Sequence, residues 1–109
     1  MICESWDVVT VPFPFTETAR QKRRPALILS QKNFNRLGHA VMAMITSAVQ
    51  PWPSDTPLSS LAAAGLSRPC VVRLKLFTLD NRLIITRIGH LADEDKNRVA
   101  AAMMSMLAI

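Results

Sequence analysis

Long apolar runs, glycine-rich loops and metal-ligand clusters are all missing from this chain. No hydrophobic stretch approaches the roughly 18 residues that a bilayer span requires, so no membrane partner is expected. The opening residues, MICESWD, lack a basic region, an apolar stretch and a small-residue cleavage site. No signal peptide is read there, and the expected location is the cytoplasm. The three glycines are scattered and build no phosphate-cradling loop. Cys3 and Cys70 fit neither a zinc site nor a disulfide framework, and they read as reduced thiols, with Cys70 half-buried in a strand. There is no H-E-x-x-H, no paired Asp-x-Asp and no Cys/His cluster, so neither a metal site nor another cofactor is expected.

Acidic residues are also scarce, and their distribution matters. Between Thr18 and Ser54 stand six basic residues (Arg20, Lys22, Arg23, Arg24, Lys32, Arg36) and no acid. From Thr56 to Leu79 come Arg68, Arg73 and Lys75, again with no acid. The net charge of +5 is therefore segregated onto one stretch of surface, which suits a polyanion such as nucleic acid or an acidic protein segment. A plain solvated surface is the ordinary alternative.

What is present is a single-domain length of 109 residues, half of them hydrophobic, enough for one core over residues 1–109. Valine-rich residues 6–11 read as a strand that Pro12 and Pro14 bring to an end or an edge. Residues 16–23 read as a polar loop. The run PALILS at 25–30 reads as a strand buried on both faces. A turn of helix is expected around Asn33 to Arg36, and a third strand over 39–46. Three prolines between positions 50 and 57 make that segment irregular.

Residues 58–64 are expected to give a short strand before a turn at Gly65. In 69–76, Val72, Leu74 and Leu76 should face one way, with Arg73 and Lys75 opposite. A turn at Asp80-Asn81 precedes a last strand over 82–88, broken by Gly89. Asp93 is placed to cap a C-terminal helix whose Val99, Met103, Met106 and Leu107 recur at core-facing spacing. About five short strands and one closing helix point to a small, strongly bent sheet or barrel.

His39 and His90 sit at element boundaries, where solvated imidazoles are the ordinary reading rather than an acid–base pair. Arginine and hydroxyl groups remain. RNA can be cut without a metal by its own 2′-hydroxyl, provided that the crowded phosphorane charge is stabilised and the leaving oxygen protonated. A guanidinium pairs two phosphate oxygens at once. Arg24 is attractive because Pro25 fixes the backbone behind it, and Thr46 and Ser47 offer hydroxyls to the same phosphate. On chemistry alone, Arg24 reads first as a surface arginine.

The ordered blocks DVVTVPFPFT (7–16), KRRPALILS (22–30), AMITSAVQ (43–50) and PCVVRLKLFTLDNRL (69–83) resemble the MazF/PemK toxin family of type II toxin–antitoxin systems. The resemblance covers nearly the whole chain. It implies a mainly β (α+β) fold, an SH3-like barrel of about five to seven strands with a C-terminal helix. It implies a homodimeric, metal-independent, sequence-specific endoribonuclease that cleaves single-stranded RNA and is held inactive by a cognate antitoxin. Carried over by position, the catalytic residues are Arg24 and Thr46. The RNA-binding residues are Thr16, Arg20, Lys22, Arg23, Ser47, Gln50, Arg73 and Lys75.

Two departures stand out. Trp6 replaces the glycine that commonly precedes the first Asp. Many relatives carry an acid just after the V-V-R block, whereas here Val71-Val72-Arg73 runs on with no acid before Asp80. An alternative of the same fold is a non-catalytic binder, either a CcdB-like gyrase poison or an RNA-binding barrel. The gyrase poisons use C-terminal residues for their target, and here the tail MMSMLAI is expected to be packed helix.

Overall fold

A computed structural model of the chain describes residues 1–13 and 22–109. Six strands and two helices are arranged as β1 (Asp7–Phe13), β2 (Lys22–Ile28), α1 (Lys32–Asn35), β3 (His39–Thr46), β4 (Thr56–Pro57), β5 (Val71–Asp80), β6 (Thr86–His90) and α2 (Asp93–Met106). The strands form one curled antiparallel sheet in the order β4-β5-β3-β2-β1-β6. Among the described residues no helix is long and apolar enough to cross a membrane.

Alternation along the central strands builds two cores. Val8, Leu27, Ala43, Ile45 and Val72 lie on one face with Leu91 and Val99. Val9, Val11, Ala26, Ile28, Ala40 and Met42 lie on the other with Leu79 and Ile84. Consecutive residues such as Leu27 and Ile28 are both fully buried, on opposite faces, as the continuous run in β2 requires. Opposite the step from Ala43 to Met44, the pairing on β5 jumps from Leu76 to Arg73. Two residues are passed over, so the parity survives and Val72, Leu74 and Leu76 all meet the first core.

Several local expectations are corrected. Residues 61–65 are a turn, not a strand. The short β4 forms instead at Thr56–Pro57, where it pairs with Val71 and Val72. Residues 82–88 do not make one strand, because the Asp80 carboxylate accepts from Arg82 N–H and starts a 3₁₀ turn over Asn81–Leu83. Gly89 lies inside β6 rather than ending it, and His90 N–H donates to Ala63 O at 2.9 Å.

Ala92, not Asp93, occupies the N-cap of α2 and makes no side-chain cap bond. Asp95 is fully buried and accepts from Ser59 N–H, Ser59 Oγ, Ser60 N–H and Arg98, which fastens the start of α2 to residues 59–60. These donors hold its carboxyl below the usual range despite burial, which pushes it up. Val99 and Met103 pack inward, whereas Met106 and Leu107 are exposed. Cys70 is buried just ahead of β5 rather than half-buried within it.

Candidate functional site

Arg24 stands on β2 opposite Val11 of β1, with Arg23 opposite Pro12 and Lys22 opposite Phe13. Thr46 closes β3 opposite Val71 of β5. β2 and β3 are neighbours, so residues far apart in sequence come to one rim of the sheet. Two adjoining cavities open there, and Arg24, Ile45, Thr46 and Ser47 line both. One, of about 370 Å³, continues past Phe13, Met44, Ala48 and Arg73. The other, of about 320 Å³, continues past Arg23, Pro25, Ser67 and Arg68.

The guanidinium of Arg24 is exposed and has no hydrogen-bond or ion-pair partner among the described residues. Thr46 Oγ1 accepts from Ala48 N–H at 3.0 Å. That bond anchors the chain leaving β3 and leaves the hydroxyl hydrogen available to donate. A cation and a hydroxyl donor therefore share one concave wall, an arrangement suited to a phosphate. Cys70 lines the second cavity, but burial pushes its thiol up, so it is no nucleophile at neutral pH. His90 lies elsewhere, on β6, with Nδ1 2.9 Å from the buried Asp7 carboxylate. Among the described residues no cluster of His, Cys, Asp or Glu could hold a metal ion.

Of the other expected contacts, Lys22, Arg23, Ser47 and Lys75 are exposed near this rim. Thr16 and Arg20 lie outside the described residues. Arg73 is mostly buried and already engaged. Its Nε and Nη2 donate to the two Asp55 carboxylate oxygens at 3.2 and 2.9 Å, and Nη2 also donates to Gln50 O at 2.7 Å. Gln50 thus contributes its carbonyl to the protein's own packing. The acid that meets Arg73 is therefore Asp55, 18 residues upstream. The Arg73 guanidinium holds that carboxyl below the usual carboxylate range, so it is a poor proton acceptor.

Arg68 and Ser67 were missed by motif reading. They follow the turn at 61–65, and the acid-free stretch around Arg68 was their only sequence signal.

Solved structures of known proteins share this fold. The crystal structure of MazE-MazF (Form-III) from Deinococcus radiodurans is similar with a TM-score of 0.80 at 22% identity, covering 100% of this chain and 99% of that one. The Mycobacterium tuberculosis toxin MazF-mt6 gives 0.72 at 24%, covering 91% and 93%. An endoribonuclease in complex with its cognate antitoxin from Mycobacterial species gives 0.78 at 16%, covering 98% and 96%. No match is found among curated proteins. At these identities the solved structures establish the fold. Residues 4–107 match the family described as PemK-like, MazF-like toxin of type II toxin-antitoxin system, and the chain belongs to that family.

Proposed function

We propose that this chain is a metal-independent endoribonuclease toxin that cleaves single-stranded RNA at short sequence motifs. The observation that carries the reading is the uncommitted Arg24 beside the Thr46 hydroxyl in a shared cleft. Arg24 pairs with two oxygens of the scissile phosphate and stabilises the phosphorane as charge builds. Its part is charge stabilisation by donated hydrogen bonds, not proton transfer. Thr46 donates to the same group and fixes its orientation. The 2′-oxygen forms the new bond to phosphorus as its proton passes to solvent water, which in turn supplies the proton that the leaving oxygen takes up. The 5′-oxygen departs and gains one, leaving a cyclic phosphate and a 5′-hydroxyl. Lys22, Arg23 and Arg68 neutralise flanking phosphates.

The same face suits an acidic antitoxin segment, which would block RNA by occupying it. An antitoxin partner is supported by the similar solved structures of MazE-MazF and of an endoribonuclease with its cognate antitoxin. A cytoplasmic homodimer belongs to the reading, with the exposed Val49, Met104 and Met106 available to an interface. The gyrase-poison alternative keeps one supporting observation: the tail expected to be packed is exposed, Ile109 at 87%.

The test uses the protein and its Arg24→Ala variant with single-stranded RNA in excess chelator, followed by mapping of the cut ends. We expect cleavage with cyclic-phosphate ends, and a loss of about 10²- to 10³-fold in the variant. Cleavage only with added metal, or gyrase trapping without cleavage, overturns the reading. Full activity in the variant removes Arg24 from its role.

A further inference from the structure

Residues 47–55, which join β3 to β4, carry an aromatic ring that the proposed chemistry does not use. Trp52 is 44% exposed. Its backbone is nevertheless tightly held. Trp52 N–H donates to Asp55 Oδ2 at 2.9 Å, and Asp55 N–H donates back to Trp52 O at 3.2 Å. Ser54, between them, has a φ of 69°, a conformation that a serine keeps only when its surroundings enforce it. Arg73 then clamps Asp55 and Gln50 with three hydrogen bonds, as described above, and lies over the indole with its guanidinium carbon 4.9 Å from the ring centroid. Lys75 Nζ is 6.0 Å from the same centroid.

This construction rigidifies an indole without burying it in either core. The Arg73 side chain also lines the cavity that Arg24 and Thr46 share, so Trp52 is one side chain removed from the proposed phosphate position. A fixed, partly exposed indole that carries Arg73 over one face, beside an exposed ammonium, matches the way that proteins hold single strands. The base stacks on the ring while the cation meets the backbone phosphate, and stacking tolerates any base.

We propose that Trp52 is a stacking platform for one unpaired base of the bound RNA strand, next to the nucleotide whose phosphate meets Arg24, with Lys75 contacting the adjoining phosphate. Asp55 and Arg73 act as positioning residues for the platform. The assignment rests on the ribonuclease reading for the strand's direction, but the binding itself can be measured apart from cleavage.

The experiment measures binding of a labelled 2′-O-methyl RNA oligonucleotide, which has no attacking hydroxyl, to the protein and to Trp52→Phe and Trp52→Leu. In parallel, single nucleotides of the oligonucleotide are made abasic one at a time. Trp52→Leu should weaken binding about tenfold, and Trp52→Phe should restore most of it. One abasic position should weaken the original protein while leaving Trp52→Leu unaffected, which identifies the stacked base. With cleavable RNA, the same loss should appear in KM.

Equal affinity across the three proteins overturns the platform. So does an abasic penalty that is the same in all of them, or a Trp52→Leu variant that converts a dimer into monomers, since the ring would then cover a second copy. Binding that depends on Trp52 in a protein that never cuts RNA would keep the platform and remove the ribonuclease reading. Cleavage that ignores Trp52 would do the reverse.

Discussion

Gly89→Ala should be costly for so small a substitution. A Cβ built on Gly89 would stand 2.3 Å from Ala64 C and 2.6 Å from both Ala63 O and Ala64 O. All three are backbone atoms, so no side-chain rotation relieves them. The reciprocal contact is closer still, since a Cβ on Gly65 would be 1.9 Å from Ile88 O. Ordinary contact begins near 3.4 Å, so β6 and the 61–65 turn have to separate by about 1 Å. Overpacking of this kind costs about 2 kcal/mol, and losing the His90–Ala63 hydrogen bond adds about 1 kcal/mol. For a domain of this size about 3 kcal/mol corresponds to a fall in Tm of about 15 °C.

The turn runs on into Ser67 and Arg68, so the folded variant should also bind RNA more weakly. Gly38→Ala is the control. Gly38 has a φ of 116° and nothing within 4 Å of a built Cβ, so it should lose only about 1–2 kcal/mol to backbone strain and leave RNA affinity intact. Thermal melts and RNA binding at low temperature measure both effects. A Gly89→Ala melt within about 2 °C of the original, or a larger loss for Gly38→Ala, refutes the close-approach argument.

Asp55 gives a pH prediction. Its carboxyl is lowered in the folded chain, so its contribution is complete above the unfolded value of about 3.9 and disappears as pH falls through the lower folded value. Tryptophan emission should change in that acid window in the original protein, and Asp55→Asn should remove the change; an identical titration in both proteins counts against the clamp. Arg68→Ala should lessen the slope of log affinity against log salt by about 0.7, the value for one phosphate contact on a single strand. An unchanged slope would mean that Arg68 does not meet the backbone.

The sequence was most legible where pattern alone decides structure. The valines of β1, the unbroken apolar run of β2 and the alternation of β5 each announce how many faces they bury, and the sheet follows. It was least legible where a partner distant in sequence decides. Two residues suffice for β4 only because Val71 and Val72 receive them, and propensity alone pointed to residues 58–64 instead. Gly89 suggests a break by composition, but its lack of a Cβ lets a turn lie against a continuous strand. At the site, Arg24 and Thr46 were readable through their motifs. The Arg73–Asp55 pair was not, because Asp55 lies within a proline-rich segment 18 residues before Arg73 and only the fold returns one to the other.

The two ends of the sheet have a bearing on how the chain behaves in a crowded solution. At one end, β4 is two residues long and finishes on Pro57, which has no N–H to give. At the other, the His90 N–H of β6 is taken up by Ala63. Pairing with β4 stops at Val72, so the rest of β5 runs on past β4 along that edge. Pro57 and the His90–Ala63 bond each blunt a stretch of edge against a foreign strand, so edge-to-edge association at high concentration should be weakest at those two places.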